Sequence, residues 1–297
     1  MNPDLEPAII DPHRHPMNST PIDGIQLETV HLPGPPDRAP LVFLHEGLGS
    51  VSMWQQRGQD WPRELCAATG RAGWVYSRRG YGQSDPVADV RGPSRWQGSW
   101  HVGRHEPDYM HLEAFNVLPT LLAAWGVERP VLVGHSDGAS IALLHASRHP
   151  VSACVVLAPH VFVEEVALNA IAQARNAYLP DATGNAQNPR AGNQNLRDRL
   201  ARHHADVDNA FWQWNDIWLS DAFRAFDIRP ECREIQAPLL AIQGLQDEYG
   251  SLEQLREIER AAPHARTLEI PDCGHSPHRD HPATLTSAIE RFLASLP

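Results

Sequence analysis

One serine of this chain lies in a pattern that proteins use to present a nucleophile. Ser136 is the central residue of 134–138, which read GHSDG, a G-x-S-x-G pattern. Three apolar residues, 131–133, precede it as a predicted buried strand, and small and apolar residues, 139–146, follow with helical spacing. A sharp strand-to-helix turn leaves room only for small neighbours, and the start of the helix directs N–H groups and partial positive charge at the serine oxygen. The pattern therefore predicts that Ser136 is a catalytic nucleophile.

A serine hydroxyl becomes a nucleophile only when a base takes its proton, and the base needs an acid to orient it. With a serine on this kind of turn, the acid and the histidine follow it along the chain, each after a strand. Asp247 follows a predicted strand at 239–243, and His275 follows the last predicted strand at 267–270. These two residues are the predicted acid and base. Their neighbours are the alternatives: Glu248 for the acid, and, for the base, His278 and His281, which we interpret as capping the last helix.

Short apolar runs that alternate with helical patterns indicate the elements that hold these residues. The predicted fold class is α/β, with a mostly parallel, doubly wound sheet covered by helices on both faces. Strand–helix alternation stops after Pro159 and resumes at Pro238, and the segment between them has helical character around a polar break at 181–195. We therefore predict a core made of residues 1–160 and 231–297, with residues 161–230 inserted as a helical lid. Other predicted strands lie at 25–32, 41–44, 74–77 and 154–157, and we interpret the first of these as an edge strand. Residues 86–108 are predicted to form a long loop, and residues 112–125 a helix.

These motifs together resemble the α/β-hydrolase fold enzymes of the lid-bearing type. Residues 45–47, HEG, are similar to the His-Gly-Gly oxyanion motif of that family, and 79–84, RGYGQS, to its R-G-x-G-x-S turn. The resemblance implies an oxyanion hole made by the backbone N–H groups of Asp137 and Gly47. Glu46 replaces the first glycine of the motif, which leaves Leu48 open as an alternative to Gly47.

Two further features near the predicted site have a structural and a functional interpretation. We interpret Glu46 as a solvent-facing or salt-bridged loop carboxylate, with Arg78 or Arg79 as its partner, rather than as a substrate contact. In the predicted lid, Trp214 and Trp218 fall on one helical face with Phe211. They either pack the lid onto the core or line an apolar acyl pocket, and we name Trp214 and Trp218 as candidate substrate-binding residues.

Composition and charge limit the classes of partner. A formal net charge of -11 argues against nucleic acid and anionic membrane surfaces. The first residues lack the basic and apolar regions of a signal peptide, and no run of 18 apolar residues, the length of a membrane-spanning helix, occurs. The four cysteines are widely spaced, which fits buried thiols. We therefore expect a cytoplasmic protein. His13 and His15 form an H-x-H pair, and we interpret them, like His203 and His204, as surface residues rather than metal ligands. We expect neither a metal nor a cofactor, and oligomeric state is left open.

The leading hypothesis is a serine hydrolase that acts on an ester, a lactone or a similar small carbonyl compound through an acyl-enzyme. Carbon–carbon bond hydrolases of ring-cleavage products belong to the same lid-bearing group and are the first alternative. Those enzymes tend to carry a bulky aromatic residue after the histidine, where this chain has Ser276 and Pro277. Related proteins also serve as small-molecule receptors with a slow triad, which is the second alternative.

Overall fold

A twisted central sheet organises the protein. The structure is a computed structural model, and it describes residues 18–56, 58–179 and 195–296. Within these residues eight strands form one sheet. The strands are β1 (Asn18–Ile22), β2 (Ile25–Leu32), β3 (Leu41–Leu44), β4 (Gly73–Tyr76), β5 (Val131–His135), β6 (Ala153–Leu157), β7 (Leu239–Gly244) and β8 (Arg266–Ile270). Their order in the sheet is β1-β2-β4-β3-β5-β6-β7-β8. In that order β1 pairs antiparallel with β2, and β2 with β4, whereas all neighbours from β4 to β8 are parallel.

Helices cover both faces of the sheet, which confirms the predicted α/β class. They are α1 (Trp61–Thr69), α2 (Tyr109–Leu112), α3 (Leu118–Ala124), α4 (Asp137–Arg148), α5 (Glu165–Tyr178), α6 (Leu196–Leu200), α7 (Val207–Trp218), α8 (Arg229–Cys232), α9 (Glu253–Ala261), α10 (Pro277–Asp280) and α11 (Pro282–Ala294). Short 3₁₀ turns lie at Val51–Trp54 and Asp221–Ala225. None of the helices in the described ranges is both long and apolar enough to cross a membrane.

The apolar runs in the sequence form strands because both faces of each strand are buried. On β5, Val131 and Val133 pack with α1 and α11 on one face, while Leu132 packs with α3 and α4 on the other. Each fully buried Val or Leu side chain contributes about 1.5–3 kcal/mol, so continuous apolar runs stabilise the centre of the sheet. Parallel strands also place their carboxyl ends, and the loops that follow them, along one edge of the sheet.

Between β6 and β7 the chain leaves the sheet and forms α5, α6, α7 and α8. The predicted helical character of 161–230 agrees with these elements. Within the predicted polar break, Asn195 caps α6 by accepting a hydrogen bond from Asp198 N at 2.8 Å, and the rest of the break lies outside the described residues. His13 and His15 also lie outside them.

Two local predictions were wrong. The edge strand at this end of the sheet is β1, which precedes the predicted edge strand at 25–32, so β2 is an inner strand. The predicted loop at 86–108 contains a small antiparallel hairpin of Arg95–Gln97 and Trp100–Val102. The predicted helix at 112–125 is confirmed, since α2, a π-helical turn at Glu113–Val117 and α3 follow one another without a break.

Candidate active site

The turn between β5 and α4 holds Ser136 in a strained backbone conformation. Its φ and ψ angles are 54° and -118°, which a residue with a side chain rarely adopts. A Cβ on Gly134 would lie 2.2 Å from Gly138 O, and one on Gly138 would lie 2.1 Å from Leu44 O. The two glycines are therefore required by close backbone contacts, and the strain points to a functional role for the serine between them.

Ser136 lies at one end of a chain of hydrogen bonds that includes the predicted base and acid. Its hydroxyl is 2.9 Å from Nε2 of His275, and Nδ1 of His275 is 2.8 Å from Oδ1 of Asp247. Asp247 also accepts hydrogen bonds from the backbone N–H of Tyr249 and the side chain of Gln243. The loops after β5, β7 and β8 thus bring the three predicted residues together in the order needed for proton transfer from serine to histidine.

The ionisation of these groups suits a general base. Burial lowers the pKa of His275, but its hydrogen bond to Asp247 and the nearby carboxylates outweigh this and raise the pKa above 6.5. Burial also opposes ionisation of Asp247, yet the hydrogen bond from His275 holds the pKa of that carboxyl below 3.8. The ionised aspartate therefore favours the tautomer in which Nδ1 carries the proton and Nε2 accepts one from Ser136.

The three alternative residues make other contacts. Glu248 accepts a hydrogen bond from the backbone N–H of His275 at 3.2 Å, so it supports the histidine main chain, not its ring. His278 is buried between Trp54, Trp61 and His135, and therefore does not cap a helix as predicted. His281 does occupy the position before α11, but its ring bonds the carbonyl of Asp272 at 2.9 Å.

The oxyanion prediction concerns the backbone N–H groups beside Ser136. Among the described residues, no acceptor bonds the N–H of Asp137, Gly47 or Leu48. Trp214 packs directly on this loop, since a Cβ on Gly47 would lie 2.2 Å from its Nε1. Arg78 holds the loop from behind by donating to His45 O at 2.6 Å and to Glu46 O at 2.9 Å.

The predicted partner of Glu46 was wrong. The carboxylate pairs with Arg279, 3.0 Å away on α10, and not with Arg78 or Arg79. It is also partly enclosed, with 17% of its side chain exposed, and 3.6 Å from Nδ1 of His135. Burial would raise the pKa of Glu46, but Arg279 and His135 lower it to about 2. An ionised ion pair therefore lies beside Ser136 rather than in open solvent.

Asp137 has a buried carboxylate in addition to its backbone N–H. Oδ2 accepts a hydrogen bond from the Tyr109 hydroxyl at 2.6 Å, and Oδ1 accepts one from Trp218 Nε1 at 3.2 Å. Burial raises the pKa of Asp137, whereas the charge of Arg78 and these two hydrogen bonds oppose the increase. These two hydrogen bonds connect the helical stretch at 109–117 and α7 to Asp137, the first residue of α4.

A cavity of about 200 Å³ opens onto Ser136. Both predicted aromatic residues, Trp214 and Trp218, border it, together with charged and polar groups. His160 is a lining residue that the sequence did not single out: it is buried, its ring lies 5.7 Å from that of His275, and burial lowers its pKa to about 3. Its position could have identified it, because His160 lies in the loop three residues after the end of β6. The other lining residues used below are Glu46, Glu248, Tyr249, Ser276 and Arg279.

Nothing in the described part of the chain forms a group of three or more side chains that could hold a metal ion. The prediction that His203 and His204 lie on the surface was wrong for His204. It is buried, accepts a hydrogen bond from Gly82 N at 2.9 Å and donates one to Leu48 O at 3.0 Å. His203 is 3.0 Å from the Ser52 hydroxyl. Both histidines thus connect the segment at 161–230 to loops of the sheet.

Comparison with known proteins identifies the family of the chain. A family model described as "Alpha/beta hydrolase family" matches residues 41–288. The chain belongs to the alpha/beta hydrolase family. This alpha/beta hydrolase is similar to the sn-1-specific diacylglycerol lipase ABHD11 of Mus musculus, with 26% identity over 270 residues, 86% of this chain and 80% of the relative. The same protein of Danio rerio is 26% identical over 276 residues, 88% of this chain and 80% of the relative.

Solved structures of hydrolases share the fold of this alpha/beta hydrolase. An enol-lactonase from Burkholderia xenovorans LB400 superimposes with a TM-score of 0.65 at 20% identity, over 94% of this chain and 100% of the other. The esterase RhEst1 from Rhodococcus sp. ECU1013 gives a TM-score of 0.65 at 18% identity, over 94% and 98%. The family and its lipase relatives identify the protein as a hydrolase enzyme.

Proposed function

We propose that this hydrolase cleaves a short-chain ester or a lactone through an acyl-enzyme on Ser136. The observation that carries the proposal is the continuous contact from the Ser136 hydroxyl through His275 to Asp247, at 2.9 and 2.8 Å. These are hydrogen-bond distances at which a general base takes the proton of its nucleophile. The strained turn at Ser136 and the unbonded N–H groups beside it support the same role.

The proposed reaction has two halves. Ser136 Oγ attacks the substrate carbonyl carbon while Nε2 of His275 takes its proton, and the oxyanion that forms accepts hydrogen bonds from Asp137 N–H and Gly47 N–H. The histidine then protonates the leaving alcohol oxygen, and the carbon–oxygen bond breaks to leave the acyl-enzyme. A water molecule, deprotonated by the same histidine, then attacks the acyl carbon. The bond between that carbon and Ser136 Oγ breaks, His275 returns the proton to Oγ, and the acid leaves. Asp247 stays ionised and stabilises the imidazolium in each half.

The N–H of Gly47 is the better second donor, because Gly47 is buried and packs against Trp214, whereas Leu48 is only half-buried. Removing water strengthens hydrogen bonds to a developing charge. Leu48 also borders the cavity and is the alternative donor. We assign the oxyanion hole to Asp137 and Gly47.

We propose that residues 161–230 act as a lid on a core of residues 1–160 and 231–297. Support comes from three side chains of this segment, Ile171, Trp214 and Trp218, which border the cavity over Ser136. Trp218 has two roles in this proposal, since it faces the cavity and also donates to the Asp137 carboxylate at 3.2 Å. Trp214 has no hydrogen-bond partner among the described residues, so its ring is the freer substrate contact.

The size of the cavity favours a small substrate. At about 200 Å³ it lies below the roughly 300–1,000 Å³ of pockets that enclose drug-sized ligands. Its wall includes the charged Glu46 and Arg279, so it is less apolar than the acyl pocket that the sequence predicts. We therefore expect acetyl to butyryl esters or a small lactone to fit, rather than a lipid with two long acyl chains.

All four cysteines lie in the described residues and are free and buried, which favours the reducing cytoplasm as the compartment.

A substrate panel tests the proposal. The p-nitrophenyl esters of acids of increasing chain length are compared with a small lactone and with a ring-cleavage dienoate, on the wild type and on Ser136→Ala. We expect turnover of short esters or of the lactone, and its loss in the variant. The matched control is Ser276→Ala, which removes another cavity hydroxyl and should retain turnover. Turnover of the dienoate alone would establish carbon–carbon cleavage instead, and wild-type turnover no faster than that of Ser136→Ala would indicate a receptor.

A further inference from the structure

A second cavity lies under the small hairpin and apart from Ser136. We call it the hairpin cavity. Its walls come from the hairpin, the turn after β4, the helical stretch at 109–117, and α7, and the residues used below are Arg79, Tyr81, Trp96, Trp100, Tyr109 and Gln213. Among the described residues, none borders both this cavity and the one at Ser136. The hydrogen bonds of Asp137 with Tyr109 and Trp218 lie between them.

Two buried polar atoms of the hairpin cavity lack a well-formed hydrogen bond. The Tyr81 hydroxyl and Oε1 of Gln213 lie near Arg78 and His105, respectively, but neither atom makes a hydrogen bond of good geometry with a described residue, although their side chains are only 2% and 1% exposed. An unsatisfied buried polar atom costs about 1–3 kcal/mol. Such a pair at one cavity indicates that a bound molecule supplies their partners, with a donor for the Gln213 oxygen.

The charge of the hairpin cavity is unusual for this protein. Two arginines, Arg78 and Arg79, and one carboxylate, Glu113, border it, whereas the chain as a whole has a formal net charge of -11. Arg78 uses both terminal amino groups on backbone carbonyls. The terminal amino groups of Arg79 bond no described residue, because its one hydrogen bond runs from Nε to Pro86 O at 3.2 Å. Arg79 is thus free to pair with an anion.

The size and the wall of the hairpin cavity suit a small aromatic molecule. Its volume of about 70 Å³ is several times the roughly 10–15 Å³ that one water molecule needs, so a single six-membered ring with small substituents is the size of molecule expected there. Trp100, Tyr109 and His105 line it, and the Arg79 guanidinium lies 5.4 Å from the Trp100 ring. Trp96, 57% exposed, stands on the hairpin and borders the cavity.

We propose that the hairpin cavity binds a small aromatic carboxylate that carries a hydrogen-bond donor. The planar carboxylate pairs with the guanidinium of Arg79, which matches its geometry, and the ring packs against Trp100 and Tyr109. The donor on the opposite side of the ring reaches Oε1 of Gln213. This site is additional to the hydrolase site and does not depend on the reaction proposed for Ser136.

Calorimetric titration tests the inference with 4-hydroxybenzoate as the probe and 4-hydroxybenzamide as its uncharged counterpart. We expect 1:1 binding of the acid to the full chain, with at least tenfold weaker binding of the amide, because a charge-assisted pair is lost. Arg79→Gln should weaken binding of the acid by a similar factor. Two controls remove one arginine elsewhere: Arg91→Gln on the surface, where Arg91 pairs with Asp216, and Arg279→Gln at the Ser136 cavity.

Equal affinity for the two probes would overturn the proposal, and so would the absence of heat at about 10 mM acid, a concentration that detects even millimolar affinity. Weakened binding in Arg279→Gln with unchanged binding in Arg79→Gln would place the acid in the Ser136 cavity and overturn it as well. The comparison of the two probes needs only the wild type, so a folding defect in a variant leaves the test valid. Hydrolysis is not measured, so the outcome is separate from that of the ester panel.

Discussion

The ion pair between Glu46 and Arg279 should contribute measurably to stability. Relative to 4.5, a pKa of about 2 for Glu46 corresponds to roughly 3 kcal/mol in favour of its ionised form, at about 1.4 kcal/mol for each pKa unit. Burial opposes this ionisation, while His135 and His275 add to the effect of Arg279. We therefore assign about 1–2 kcal/mol to the pair itself, a value between those of exposed and fully buried pairs.

A double-mutant cycle measures that coupling. Unfolding free energies in urea at pH 7 are compared for the wild type, Glu46→Gln, Arg279→Gln and the double variant. Arg79→Gln combined with Glu46→Gln is the matched control, because Arg79 was an expected partner and is not a partner in the structure. The folded-state pKa of Glu46 is depressed, so its stabilisation is complete above pH 4.5 and should disappear as the pH falls toward 2. A coupling below about 0.3 kcal/mol, or an equal coupling with Arg79, would refute the reasoning.

Three further predictions concern the reaction. Ester hydrolysis should fall on acidification with an apparent pKa above 6.5, because His275 must be neutral to act as a base and its pKa is raised. The same pH–rate profiles test the acid. Asp247→Asn should lower the apparent pKa and reduce kcat by about 10³–10⁴-fold, whereas Glu248→Gln should stay near the wild-type rate. A large loss in Glu248→Gln with a small one in Asp247→Asn would make Glu248 the acid. Trp214→Ala should shift the preferred ester to a longer acyl chain, by opening the cavity, while Trp212→Ala, outside the cavity, keeps the order. An unchanged order in both, with a lower Tm for Trp214→Ala, would show that Trp214 serves only packing.

The main sheet is predictable from the sequence because its inner strands are continuous apolar runs separated by helical patterns. Val131–His135 is such a strand, buried along its whole length. Asn18–Ile22 is not, since most of its residues face solvent and one is proline, and pairing with β2 decides its conformation. The hairpin formed by Arg95–Gln97 and Trp100–Val102 was missed because each of its strands is only three residues long, too short to show an alternating pattern.

The candidate site is predictable only where position along a strand determines the contact. Ser136, Asp247 and His275 each follow a strand of the parallel part of the sheet, so their meeting at one edge is a property of the topology. The pairing of Glu46 with Arg279 joins residues 233 positions apart. Glu46 follows β3, but Arg279 lies on α10, so strand position does not determine its contact. Hydrophobic period and motif spacing contain no information on such a contact.

Covalent labelling tests the central claim most directly. A fluorophosphonate probe reacts with an activated serine hydroxyl and not with an ordinary one. Wild-type protein and Ser276→Ala are expected to be labelled, with the adduct on the peptide that contains Ser136, and Ser136→Ala is expected to remain unlabelled. Labelling of Ser136→Ala at the wild-type rate, or an adduct on Ser140 or another serine of the wild type, would contradict the assignment of the nucleophile.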